Sequence, residues 1–227
     1  MTDFECEALR TPETVCKPDP RSQKVDFITR EPLLIAYEHD KITAITLHAG
    51  VPRNIWAQFE TSRNLYLYAW YVYRFYPLAE HQAYACLELA LRERYEAEVT
   101  AISKTKTKDI LHNLKSLLEY AVANEHLKNE GFSLWRRHTE VRAQQRTQNE
   151  LWEKALQEGR TEMTFDPDDY EITDLDRNHD YLQAILNSIP VLRNDYAHGS
   201  NTLHSQVLYT IKLVSEIINQ VYPELGG

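Results

Sequence analysis

The sequence predicts an all-α protein: an up-down bundle of helices preceded by an N-terminal extension. Three observations predict it. Apolar residues recur at three- and four-residue intervals in segment after segment between residues 53 and 221, the spacing that places them on one face of a helix. Only 6 of the 227 residues are glycine, while the helix formers Leu, Ala, Glu and Arg are abundant. Prolines and glycines such as Pro52, Pro77, Gly131 and Gly199 fall between these segments, where short connections between packed helices belong.

A chain of this length fits one domain plus an extension, and 43% hydrophobic residues suffice for a core. Met1–Cys6 has neither a basic nor an apolar run, so no signal peptide is expected. No stretch reaches the uncharged length of a membrane span. A cytoplasmic protein without a membrane partner is the expectation. Cys6, Cys16 and Cys86 are scattered without metal-ligand spacing and are read as reduced structural or surface thiols.

Residues 1–52 form the N-terminal arm. The first 32 are polar and punctuated by Pro12, Pro18, Pro20 and Pro32, which predicts little structure of their own. Leu33–Tyr37 and Ile42–Leu47 then flank Glu38-His39-Asp40-Lys41. The alternation in the second run predicts a small β-hairpin or a hydrophobic connector.

Residues 53–227 form the helical domain. The first helix is expected over Arg53–Tyr76, opened by Pro52 and closed by Pro77, with dense aromatics (Trp56, Phe59, Tyr66, Trp70 among them) for a core, a dimer interface or a base-stacking platform. The second is expected over Leu78–Val99. Leu87, Leu91 and Tyr95 form its stripe beside Ala83 and Ala90, with Glu88 and Arg92 paired on the outer face and His81 as a packing or surface residue. After a basic linker (Lys104, Lys106, Lys108), Thr107 or Asp109 would cap a third helix carrying Ile110, Leu114, Leu117, Leu118 and Ala121. Leu134–Gln157 reads as a long polar helix projecting from the body or lying on a second chain. Its His138, Arg142 and Arg146, one turn apart, are candidates for phosphate contact or simply a solvated face.

Residues 162–180 turn acidic (Glu162, Asp166, Asp168, Asp169, Glu171, Asp174, Asp176, Asp180) but lack the glycine and closing Glu of a calcium loop. They are read as a flexible loop, not a metal site. A helix follows over Asp180–Leu192, kinked or restarted at Pro190. The last helix, capped by Ser200 or Asn201, buries Val207, Ile211, Val214, Ile218 and Val221, with His204 one turn into it. No Gly-rich phosphate loop and no internal repeat appears, and no cofactor or metal is expected.

Between these last two helices lies the chemically loaded stretch, Pro190-Val191-Leu192-Arg193-Asn194-Asp195-Tyr196-Ala197-His198-Gly199-Ser200. Histidine exchanges a proton near neutral pH. Arginine stays charged and grips phosphate oxygens. Asn194 can orient either. His198 would take the 2′-OH proton of RNA or protonate the leaving 5′-oxygen, while Arg193 stabilises charge on the phosphate. An Arg followed after four to six residues by His is cheap: 15 Arg and 9 His in 227 residues, with three allowed spacings, give about two chance matches. The second match, Arg74 to His81, is followed by Phe75 and interrupted by Pro77. Arg193–His198 stands apart through Asn194, the small Ala197 and Gly199 around His198, and the amphipathic helix that follows. Residues 193 and 198 converge best if the helix ends here, and Gly199 suits a C-terminal cap.

Leu192-Arg193-Asn194-Asp195-Tyr196-Ala197-His198-Gly199 resembles the RNxxxH signature of the HEPN superfamily. The resemblance covers the motif and the helix after it, covers the earlier helices only in character, and does not reach the first fifty residues. It implies an all-helical, often dimeric, metal-independent endoribonuclease of toxin–antitoxin or phage-defence systems. Arg193, Asn194 and His198 would be its catalytic triplet, and two copies of the motif would meet across a homodimer interface. It also implies an RNA substrate and an antitoxin or other regulatory protein as partner. Arg142, Arg146 and His204 are added as substrate-binding candidates. The alternative is a catalytically inactive HEPN-like module that binds a partner protein or nucleotide, with Arg193 and His198 tying helices or subunits together.

The net charge of −9 runs against indiscriminate nucleic-acid binding. The charge is uneven, however: residues 102–146 carry nine Lys and Arg against five Asp and Glu. That balance favours a small or specific RNA.

Overall fold

The computed structural model describes residues 7–26, 28–102, 113–197 and 203–223, the side chains of Ala97, 100–102 and 195–197 excepted. Seven helices longer than one turn lie among them: α1 (Ile35–Thr43), α2 (Arg53–Tyr68), α3 (Phe75–Ile102), α4 (Leu114–Ala123), α5 (Ser133–Gln157), α6 (Tyr181–Ala197) and α7 (Val207–Val221). The described residues contain no sheet, and their one β-bridge joins Val25 to Pro32. The all-α class holds.

The hub is α3, which packs on α2, α7, α4 and α6. Its stripe, Leu87, Leu91 and Tyr95 with Ala79, Ala83 and Ala90, is fully buried. The alanines let neighbours approach closely, and Ser62 Oγ of α2 donates to the Ala79 carbonyl at 2.8 Å. On α2 the buried residues are Ile55, Phe59, Ser62 and Tyr66, spaced one turn apart. On α7 they are Val207, Ile211, Val214, Ser215, Ile217, Ile218 and Val221, the expected stripe.

The expected hairpin is replaced by α1, whose backbone is helical from Ile35 to Thr43. Glu38 and Ile42, one turn apart, are its buried residues, and Glu38 is anchored by the Tyr66 hydroxyl of α2 at 2.5 Å. The alternation after Ile42 belongs to the helix end and an extended stretch that buries Ile45 and Leu47. The single helix expected over Arg53–Tyr76 ends at Tyr68 instead. Pro77 lies in the first turn of α3 rather than beyond the end of α2. A proline costs nothing there because those N–H groups have no intrahelical acceptor. Asn113 caps α4 by accepting the Ser116 N–H at 3.0 Å; Thr107, Asp109 and Ile110, expected at the start of this helix, lie outside the described residues.

The N-terminal arm has little regular structure but is held down. Asp19, fully buried, receives Arg21 Nε and Nη2, both at 2.9 Å, and its own N–H donates to the Trp70 carbonyl. Arg10 Nη2 donates to the Tyr71 carbonyl at 2.7 Å. The arm is thereby pinned to the α2–α3 connection. The acidic segment is likewise bound to α5. Arg146 is bidentate to Asp176 (3.2 and 3.0 Å) and reaches the Glu171 carbonyl, Gln144 reaches the Pro167 carbonyl, and Trp135 Nε1 donates to the His179 carbonyl. A single α-turn at Asp174–Arg177, opened by a Thr173–Asp176 capping box, sits against α5.

Candidate functional site

Helix α6 continues past Pro190 to Ala197, rather than restarting there or stopping at Leu192. Arg193 and Asn194 are therefore presented from the last turns of a helix. Ile185 and Ile189 bury its inner face, which leaves Val191 and Asn194 exposed and Arg193 at the boundary.

Arg193 faces α3. Its Nη2 donates to Glu88 Oε2 at 2.9 Å, and Nη1 reaches Asn194 Oδ1 at 3.4 Å. The other oxygen of Glu88 takes Arg92 Nη2 at 2.9 Å. The expected Glu88–Arg92 pair therefore exists, but it is shared with the motif arginine. One third of the Arg193 side chain stays exposed, so its remaining N–H donors can meet an anion. His198, Gly199, Ser200 and Asn201 lie outside the described residues.

The chain is described again from Leu203. His204 precedes α7 rather than sitting one turn inside it, because Gln206 is the N-cap and α7 begins at Val207. Its Nε2 stands 3.5 Å from Glu80 Oε2, and that carboxylate is almost fully buried. The other Glu80 oxygen accepts the Thr210 hydroxyl of α7 at 2.5 Å. Tyr84 lies one turn further along α3. Burial, reinforced by the Glu80 charge, pushes its phenol well above the ordinary tyrosine value, so it stays a neutral donor. Glu80, Tyr84 and Glu88 follow at intervals of four and share a face of α3. This face receives Arg193 at one end and His204 at the other. Sequence reasoning missed Glu80, Thr210 and the Glu88–Arg193 pair; the signal was the four-residue spacing on α3.

The other binding candidates lie elsewhere. Arg142 donates to the Leu175 carbonyl, and Arg146 is engaged by Asp176, Glu171 and Glu150. The Arg146 guanidinium holds the Asp176 carboxyl well below the usual carboxylate range. Unpaired cations occur instead at a cleft of about 270 Å³ between α5 and α7, lined by Leu134, Arg137, Tyr181, Tyr209, Lys212 and Glu216. The Arg137 and Lys212 side chains have no partner among the described residues.

Cys86 is buried, and burial pushes its thiol up to about 12, so it is no nucleophile at neutral pH. No helix among the described residues is long and apolar enough to cross a membrane. No group of three His, Cys, Asp or Glu side chains that could hold a metal ion occurs among them. Compared with protein-family models, with curated proteins and with solved structures, the chain matches none.

Proposed function

We propose that this chain is a HEPN-type endoribonuclease. His198 and Arg193 cleave RNA without a metal, Asn194 orients them, and two copies of the motif share a site in a homodimer. The context is cytoplasmic defence or toxicity restrained by a regulatory protein. The observation that carries this reading is the partly exposed Arg193 guanidinium at the end of α6, oriented by Glu88 at 2.9 Å and flanked by Asn194. A guanidinium with one edge fixed by a carboxylate and the other open is preorganised for a phosphate. Arg137 and Lys212 offer unpaired charge to the rest of the strand.

The test is cleavage of a mixed RNA pool by wild type and His198→Ala with EDTA present, both checked for fold by circular dichroism. Wild type is expected to cut and the variant to lose at least a hundredfold in rate. Equal cutting by both would remove the chemistry from this motif.

One observation favours the second reading, a non-cutting module. The Glu88–Arg193 bond also ties α6 to α3. In that case wild type cuts nothing, and Arg193→Ala lowers the melting temperature or the dimer fraction.

A further inference from the structure

Proteins read the sequence of single-stranded RNA by splaying out a base, laying it against aromatic or apolar side chains and hydrogen-bonding its edge. The cleft between α5 and α7 has the parts for this, sorted by depth. Leu134, Leu213, Tyr181 and Glu216 are half-buried and form its floor, while Arg137, Lys212 and Tyr209 are exposed at its rim. Its volume of about 270 Å³ lies at the small end for ligand pockets and suits one base rather than a run of them.

The floor is held in place by the protein itself. Glu216 Oε1 accepts the Ser133 N–H at the start of α5 at 3.2 Å, and Oε2 has no partner among the described residues. Asn129 Oδ1 accepts the N–H groups of Tyr181 and Leu182 at 3.1 and 3.0 Å, which fixes the start of α6. The Tyr181 ring packs edge-on against Phe132, with centroids 5.2 Å apart. Burial, reinforced by the Glu216 charge, pushes its phenol up to about 12, so at neutral pH it is an uncharged donor. On the rim, neither Arg137 nor Lys212 has a carboxylate within ion-pair distance among the described residues. Their charge is open to phosphate, which the Glu216 carboxylate turns away from the floor. The same carboxylate discriminates among bases. It only accepts, and its two oxygens match two adjacent donors. Guanine alone of the four bases sets two N–H donors, N1–H and N2–H, side by side on its pairing edge. Adenine and cytosine set one donor beside a lone pair that a carboxylate repels, and uracil sets one between two carbonyls. The neutral Tyr181 hydroxyl, near enough to Glu216 to feel its charge, can donate to guanine O6.

Resting on the reading that RNA is the substrate, we propose that the α5–α7 cleft is a guanosine pocket that sets sequence preference. Glu216 accepts N1–H and N2–H of one splayed guanine, Tyr181, Leu134 and Leu213 cover its ring, and Arg137 and Lys212 hold the adjoining phosphates. Tyr181 and Arg193 stand near opposite ends of α6, about 18 Å apart along its axis. The pocket therefore reads a base away from the scissile bond and takes no part in the chemistry of the motif.

The test measures binding of 2′-O-methyl 12-mers, which need not be cut, by wild type, Glu216→Gln and the double variant Arg137→Ala/Lys212→Ala. The strands are all uridine, or uridine with one central guanosine, inosine or adenosine. Wild type is expected to bind the guanosine strand about tenfold tighter than the uridine and adenosine strands. Inosine keeps N1–H and O6 but lacks the 2-amino donor, and its strand should bind about threefold weaker than the guanosine strand. Glu216→Gln keeps an oxygen for the Ser133 N–H, so it should melt within about 2 °C of wild type while its guanosine-to-uridine ratio falls to within about twofold of one. The double variant should weaken all four strands by a common factor of about ten and keep the ratio. Equal binding of all four strands by wild type overturns the pocket and leaves the nuclease reading standing. So does inosine binding as tightly as guanosine, a comparison that needs no variant to fold, and so does a guanosine preference that survives Glu216→Gln. No binding of any strand by wild type overturns both.

Discussion

Asp19 shows how one side chain turns an irregular arm into part of the fold. It is fully buried, yet it is charged because Arg21, the Arg21 N–H and the Tyr73 N–H converge on it. Burial alone would raise its carboxyl; these donors outweigh burial and hold it below the ordinary value. Removing one partner of such a pair strands the other. Asp19→Ala should therefore cost about 2–3 kcal/mol, or roughly 5–10 °C in Tm for a domain of this size. A carboxyl depressed in the folded state contributes stability that is complete above its unfolded value near 3.9 and is lost as pH falls through the lower folded value. The gap between wild type and variant in urea should thus be constant from about pH 5 to 7 and shrink below about pH 4. A Tm unchanged at pH 7 would show that the arm contributes nothing to the folded body.

At the scale of elements, a helix was readable where its own spacing decides its buried face, and not where a distant partner does. Leu87, Leu91 and Tyr95 of α3 and the stripe of α7 were legible because burial follows the 3.6-residue period. The α1 helix was not: what selects it is Glu38 beneath the Tyr66 hydroxyl, a contact 28 residues away. The candidate site divides the same way. Arg193 and Asn194 announce themselves by spacing within one segment. Glu88 and Glu80 enter through bonds spanning 105 and 130 residues, which no local pattern carries. The acidic segment was expected to be loose, and local composition gave no sign that Arg146 would hold it through Asp176. That clamp yields a prediction of its own. Asp176→Ala removes the bidentate acceptor and the capping-box carboxylate together. Amide exchange over residues 160–178 should accelerate at least tenfold, and protease cleavage should appear there. Exchange in α3 and α7 should stay within about twofold of wild type, because the segment's α-turn packs on α5 and its side-chain bonds run to that helix. Unchanged protection of the segment would mean that Trp135, Gln144 and Arg142 suffice to hold it.

For the whole molecule, the deciding quantity is where positive charge remains free against an acidic whole. The chain carries −9, and Arg10, Arg21, Arg63, Arg74, Arg94, Arg146 and Arg177 each sit on a carboxylate. An acidic surface repels RNA at long range, so affinity must come from a few local contacts. Among the described residues, the cations nearest the motif and the α5–α7 cleft that enter this prediction are Arg137, Lys212 and the open edge of Arg193; Lys17, Arg30, Arg53, Lys128 and Lys154 also lack a carboxylate partner. Three phosphate contacts to a single strand release few counterions, and log K should fall with log salt at a slope of about −2. Binding of a 2′-O-methyl RNA 12-mer, which cannot be cleaved through its 2′-oxygen, measured from 50 to 300 mM salt, reads that slope directly. Arg137→Ala combined with Lys212→Ala should flatten it to about −0.7, the value left by Arg193 alone. A wild-type slope steeper than about −4 would require a basic track that these three residues do not make. It would point instead to Lys104, Lys106 and Lys108, which lie outside the described residues. An unchanged slope in the double variant would remove the cleft from the path of the RNA while leaving the chemistry at His198 to be judged on its own.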